Sequence, residues 1–254
     1  MKIVILGSSD RDVAHRQYVS SYLVNGKVAI DAGCLGLHGT PEEQDAVRHV
    51  FLTHSHADHV VSLPFFVENV WTPAPDCPVV YGMPETLQAV QDHVFNNVIW
   101  PDFVALSERM PPFLRLQALE LESPLEAGGL TVTPVRVNHL VPTCGYVVRE
   151  GESAVIFAGD SGPTERLWEV AHHTPGLRAV FLEASFPNRL KSVAQASLHL
   201  TPEMFNQEAA KLPAGIRLMA VHLKVRFREE IVRELQALGL PSVEIAECER
   251  EYEF

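Results

Sequence analysis

Thr53-His54-Ser55-His56-Ala57-Asp58-His59 decides the reading of this chain. Four side chains with nitrogen or oxygen donors, His54, His56, Asp58 and His59, fall within six residues, directly after the apolar run Val50-Phe51-Leu52. That run predicts a buried strand. Neutral imidazole and carboxylate are the donors that zinc and similar first-row metals accept. The spacing His-x-His-x-Asp-His is too tight for all four to serve one tetrahedral ion. It suits a loop that hands two donors to one ion and two to a neighbour. The plain alternative is a solvated loop that is merely rich in histidine, and later parts of the chain weigh against it. His139 follows Thr131–Val137, Asp160 follows Ala154–Gly159, and His222 follows Leu218–Val221, each where a predicted strand ends. One such residue is normally a capped turn. Three of them, with the histidine-rich loop, fit the rule that loops beyond strand ends carry the sites of mixed α/β folds.

Apolar runs with turn residues between them predict strands over 2–6, 19–24, 27–30, 50–53, 78–81, 130–137, 145–149, 153–157, 179–183 and 217–221. Thr40-Pro41-Glu42-Glu43 offers a capping Thr, a Pro at the first helical position and a Glu at the third, opening a helix toward His49. Helical spacing predicts further helices over 84–97, from Thr201-Pro202-Glu203 onward, and from 226 to 238 with Gly239 as the stop. Asn25-Gly26 and Glu150-Gly151 predict hairpins. Strands and helices therefore alternate in a mixed α/β architecture, read as a single domain over 1–254. Residues 60–112 are rich in aromatic residues and proline, which predicts a lid or a homodimer face, with ordinary core as the plain reading of any single ring.

Lys and Arg number 20 against 32 Asp and Glu, a formal charge of −12. Long nucleic acid held through its phosphates is an unlikely partner for such a balance. A small anionic substrate remains open, because surface charge is screened beyond about 8 Å and bound divalent cations dominate the field of a cleft. No apolar stretch approaches a membrane span of roughly 20 residues. The N-terminus reads as a first strand and not as a signal peptide. Cys34, Cys77, Cys144 and Cys248 lack redox or metal spacing and are read as free thiols in a reducing cytoplasm.

The donors, in this order, resemble the pattern of the metallo-β-lactamase-fold hydrolases, and all seven positions are filled. The resemblance implies an αβ/βα four-layer sandwich and a dinuclear centre of two divalent metal ions, zinc first, with manganese or iron as alternatives. By position it implies His54, His56 and His139 on one ion, Asp58, His59 and His222 on the other, and Asp160 bridging. Asp31, in Ala29-Ile30-Asp31-Ala32-Gly33, resembles the family's aspartate that orients a ligand histidine. A complete His-x-His-x-Asp-His set is similar to the hydrolytic branch and unlike the oxygen-reducing di-iron branch.

Phe181–Phe186, with Glu183, and Ser197–Thr201, with His199, resemble paired segments of the phosphodiesterase members: transfer-RNA 3′-end endonucleases and class II cyclic-nucleotide phosphodiesterases. His139–Tyr146 is similar to the endonucleases; His199–Pro202 and His222-Leu223-Lys224 are closer to the class II group, which residues 60–65 follow only in part. The endonucleases usually insert an RNA-gripping arm between the later His and the bridging Asp, and here only 20 residues separate His139 from Asp160. The expectation is hydrolysis of a small phosphodiester, a 3′,5′-cyclic nucleotide first, with RNA 3′-end, lactone or thioester hydrolysis as alternatives. Two such ions bring the pKa of water to about 7. His199 would donate a proton to the departing alkoxide, with Glu183 orienting it and favouring its charged form. The plain reading makes His199 a turn residue and Glu183 a strand cap. Lys224 is open to phosphate or solvent, and His15, His38, His49, His93, His172 and His173 are read as surface or packing residues.

Overall fold

The computed structural model describes residues 1–7 and 19–254. Its strands are β1 (Lys2–Ile5), β2 (Tyr22–Val24), β3 (Val28–Ile30), β4 (His49–Phe51), β5 (Val79–Gly82), β6 (Arg115–Ala118), β7 (Leu125–Ala127), β8 (Leu130–Arg136), β9 (Cys144–Glu150), β10 (Ser153–Phe157), β11 (Leu177–Glu183), β12 (Arg217–Val221), β13 (Val243–Ile245) and β14 (Glu251–Glu253). They form two mixed sheets of seven strands. The described residues divide into two compact units, each holding one sheet: 1–7, 19–120 and 248–253 in the first, and 121–247 with Phe254 in the second.

The first unit has the strand order β14-β1-β2-β3-β4-β5-β6. Pairing is antiparallel from β14 to β3 and parallel from β3 to β6. The inner parallel strands β3, β4 and β5 are the apolar runs seen in the sequence, as expected of strands covered on both faces; Val28, Ala29 and Ile30 are all buried. The expected β2–β3 hairpin turns on Asn25 (φ 51°) and Gly26 (φ 67°), the two left-handed residues of a type I′ turn. Leu52, Leu63, Phe66, Phe95 and Phe103 lie in the core of this unit. Burying a Phe contributes roughly 1.5–3 kcal/mol, so Phe66, Phe95 and Phe103 account for part of the aromatic segment as core. The helix opened by Thr40 has its full capping box with Glu43, but it ends at Gln44. It cannot run on to His49, because β4 starts there.

The second unit has the order β13-β12-β11-β10-β9-β8-β7, antiparallel from β7 to β10 and parallel from β10 to β13. The expected β9–β10 hairpin turns on Gly151 (φ 55°). Residues between His139 and Asp160 are thus used up by a strand, a turn and a strand. Helices Arg166–His172, Lys191–Ser197, Pro202–Ala209 and Arg228–Ala237 belong to this unit, whose core includes Ile156, Trp168, Leu182 and Phe205. Thr201 caps Pro202–Ala209 by accepting from the Met204 N–H.

Both units run from an antiparallel half into a parallel half, and polar residues sit at the C-terminal ends of the parallel strands. Asp31 follows β3 and Thr53-His54 follow β4; Asp160 follows β10, Glu183 closes β11 and His222 follows β12. No described helix is long and apolar enough to cross a membrane.

Candidate metal centre

In the first unit the histidine-rich loop leaves β4 and enters a four-residue helix, Ala57–Val60, which carries Asp58 and His59. Asp31 lies beneath it, 1% exposed, with φ at 61°. Such a conformation costs an L residue on the order of 1–3 kcal/mol and persists only where its surroundings fix it. Here Asp31 Oδ1 accepts from the Thr53 N–H at 2.7 Å, Asp31 Oδ2 accepts from Thr53 Oγ1 at 2.9 Å, and Oδ2 also meets His59 Nδ1 at 2.7 Å. The carboxylate takes the Nδ1 hydrogen of His59, which leaves Nε2 as the lone-pair atom. A metal-binding histidine needs this tautomer. His54, fully buried, points Nδ1 at Thr53 Oγ1 at 3.0 Å and Nε2 at His56 Nδ1 at 3.0 Å. Gly33 closes the floor: a Cβ there would stand 2.1 Å from the carbonyl oxygen of Asp58 and 2.8 Å from the Ser20 backbone. The close approach of two backbones is what requires glycine.

In the second unit Glu183 is buried and uses both oxygens. Oε1 accepts from the Ser161 N–H at 3.0 Å and meets His199 Nδ1 at 2.6 Å; Oε2 accepts from Ser185 Oγ at 2.6 Å and from the Leu200 N–H at 3.2 Å. Burial opposes the charged form of His199. The charge and hydrogen bond of Glu183, with the charge of Asp160 added, outweigh burial, and the His199 pKa lies above the ordinary histidine value. His222, at φ 56°, directs Nδ1 to Ser185 Oγ at 3.0 Å and Nε2 to Asp160 Oδ2 at 3.5 Å. His139 gives its Nδ1 hydrogen to the Leu198 carbonyl at 3.1 Å, and burial pushes its pKa down, against the pull of Asp160. Asp160, His199 and His222 offer donor atoms within 4.8 Å of one another, as do His139 and Asp160.

The donor chemistry fits divalent cations. A tetrahedral ion with bonds of about 2.0–2.1 Å sets its ligand atoms roughly 3.3 Å apart. The His54–His56 nitrogens, at 3.0 Å, and the Asp160–His222 pair, at 3.5 Å, lie close to that spacing. The atoms at these contacts are imidazole nitrogens and, in the second unit, a carboxylate oxygen, the donor types that such cations accept. The first unit thus brings together His54, His56, Asp58 and His59 on Asp31, and the second brings together His139, Asp160 and His222 beside the Glu183–His199 pair.

A family model described as a beta-lactamase superfamily domain matches residues 30–223. The chain belongs to the beta-lactamase superfamily. Within that superfamily it is 26% identical over 222 residues to 3′,5′-cyclic-nucleotide phosphodiesterase 1 of Saccharomyces cerevisiae, a match that covers 73% of this chain and 58% of the yeast enzyme. It is 27% identical over 106 residues to ribonuclease Z of Pyrococcus abyssi, covering 41% of this chain and 31% of that protein. Among solved structures, unliganded yeast PDE1 superposes with a TM-score of 0.78 at 19% identity, over 96% of each chain. The expected metallo-β-lactamase fold is borne out.

Three participants in these networks were not singled out from the sequence as site residues: Thr53, Ser185 and Gly33. Thr53 directly precedes the histidine motif, and Ser185 lies two residues beyond Glu183, but a small hydroxyl residue carries no spacing signal of its own. Gly33 follows Asp31 by two residues, and its need shows only once the Asp58 carbonyl is in place. His15 lies outside the described residues. His172 and His173 lie on the surface and bond to backbone carbonyls of Lys211 and Glu169, while His49 packs by stacking on Tyr81.

Proposed function

We propose that this protein is a metal-dependent phosphodiesterase that hydrolyses a small phosphodiester, a 3′,5′-cyclic nucleotide first, to the nucleoside monophosphate. The observation that carries the reading is the buried Glu183–His199 contact of 2.6 Å, with the His199 pKa raised. Expelling a ribose alkoxide requires a proton, and a histidine whose charged form is favoured by a buried carboxylate is suited to supply one. Acyl transfer at a metal centre has less need of such a donor, which favours phosphoryl over lactone or thioester chemistry.

Seven residues would hold two divalent cations, zinc first: His54, His56 and His139 for one, Asp58, His59 and His222 for the other, with Asp160 between them. This assignment rests on superfamily membership and on the donor chemistry of each unit. When bound, the pair supplies a strong nucleophile from water at neutral pH and offsets charge on the phosphoryl oxygens. Asp31 holds His59 in the donor tautomer, and Glu183 holds the imidazole of His199 with its second N–H available to the leaving oxygen. Similarity to the yeast cyclic-nucleotide enzyme supports the substrate class. Cys34, Cys77, Cys144 and Cys248 are thiols outside any disulfide, which supports a reducing compartment, the cytoplasm.

A second reading, RNA 3′-end cleavage, is favoured by the ribonuclease Z similarity. The charge of −12 and the short β9–β10 hairpin between His139 and Asp160 weigh against it. A hydrolysis panel of cyclic AMP, cyclic GMP, bis-nitrophenyl phosphate, a lactone and precursor transfer RNA separates the two. Turnover of the cyclic nucleotides and the nitrophenyl diester alone supports the proposal. Preferential cleavage of the transfer RNA overturns it.

A further inference from the structure

The two units share a device at the hydroxyl level. Thr53 Oγ1 lies 2.9 Å from Asp31 Oδ2 and 3.0 Å from His54 Nδ1. Ser185 Oγ lies 2.6 Å from Glu183 Oε2 and 3.0 Å from His222 Nδ1. A carboxylate only accepts, and it is the nearer partner of each hydroxyl (for Ser185 nearer also than the His222 carbonyl oxygen, at 3.0 Å), so each hydroxyl gives it its single hydrogen and has only lone pairs left for the imidazole. Each imidazole must then carry its hydrogen on Nδ1, and its Nε2 is the lone-pair atom. His54 aims that Nε2 at the His56 contact and His222 aims it at the Asp160 contact, each within its own unit. Asp31, Thr53, Glu183 and Ser185 are all buried, so water does not compete for these bonds.

We propose that Thr53 and Ser185 are positioning residues, hydroxyl relays through which a buried carboxylate fixes the tautomer and ring orientation of His54 and of His222 for cation binding. In the first unit, Asp31 thereby controls two histidines, His59 directly and His54 through Thr53. In the second, the two oxygens of Glu183 divide between His199 and, through Ser185, His222. The carboxylate that serves the proton donor also serves a cation ligand. The proposal rests on the reading that His54 and His222 are cation ligands, and the test separates the two.

The variants are Thr53→Val, which keeps shape and removes the hydroxyl, Thr53→Ser, which keeps the hydroxyl, and Ser185→Ala. Zinc and manganese affinity are measured by calorimetric titration of the metal-stripped protein. Histidine tautomers are read in the same protein by long-range 1H–15N correlation spectra. The proposal expects Thr53→Val and Ser185→Ala each to lose about 10–100-fold in cation affinity and to lose the single Nδ1–H tautomer of His54 or His222. Thr53→Ser should escape that loss, since it keeps the hydroxyl partner. Parent-like affinity and tautomers in Thr53→Val and Ser185→Ala overturn the relay, even if their melting temperatures fall. Failure of the parent protein itself to bind either cation overturns the ligand reading instead.

Discussion

The two units use one kind of cluster for two purposes. Each buries a carboxylate at the end of a parallel strand, Asp31 after β3 and Glu183 at the close of β11, and each carboxylate holds an imidazole Nδ1 within 2.7 Å. In the first unit that imidazole is His59, a residue of the metal-binding motif. In the second it is His199, which stands outside the seven-donor set and whose pKa is raised. The chemistry of the carboxylate is the same in both. Under the proposed function its consequence differs with what the far nitrogen of the ring would face: a cation in the first case and a leaving oxygen in the second. Pairing Asp31 with a ligand and Glu183 with a proton donor makes the two carboxylates separable by experiment.

The largest expected effect is that of His199→Ala. It should slow a diester with an alkoxide leaving group by about 10²–10⁴-fold, while a nitrophenolate, which leaves without a proton, slows far less. Metal content should be unchanged. Equal slowing of both substrates would break the contrast between the units. Next in size, Asp31→Asn should lower cation affinity by about 10–100-fold, measured by titration of the stripped protein, because the neutral amide holds His59 and Thr53 less firmly.

Glu183→Gln sharpens the comparison through pH. In the parent the first influence on His199 is burial, which disfavours its charge, and Glu183 reverses it. A proton donor must be charged, so activity falls as pH rises through the His199 pKa. Removing the Glu183 charge lowers that pKa, and the alkaline fall of kcat should move to lower pH. A profile that stays in place contradicts the assignment of Glu183. The smallest effect is that of Thr201→Ala, the cap of the helix that follows His199. Loss of the bond to the Met204 N–H should cost about 1 kcal/mol in denaturant unfolding.

The site was more legible in the sequence than the sheet edges were. Imidazole and carboxylate at fixed spacing carry their own chemistry, so His54, His56, Asp58 and His59 were plain before any strand was placed. The central strands were equally plain, because burial on both faces writes itself as an unbroken apolar run. Four strands escaped: β6, β7, β13 and β14. They are the four outer strands of the two sheets. An edge strand has one side open to solvent and is blunted by short length and charge. Arg115–Ala118 is mostly exposed and shows no alternation, and Glu251–Glu253 alternates over only three residues, too few to mark a strand. Short helices such as Ala57–Val60 escaped because four residues hold barely one turn, too little for a period. Ser185 and Thr53 were illegible as site residues for another reason. Their roles lie in which carboxylate and which imidazole they meet across the fold, His222 being 37 residues away from Ser185.

On the proposed function, two cations held by this chain drive cleavage of a cyclic phosphodiester. Metal analysis and cyclic-nucleotide turnover on one preparation, before chelation, after chelation and after readdition of zinc or manganese, test it most directly. The expected result is two equivalents of metal per chain, loss of turnover on chelation with the far-UV circular dichroism retained, and recovery of the nucleoside monophosphate product on readdition. A folded protein that binds fewer than two equivalents under every ion tried, and cleaves no phosphate ester, would contradict it.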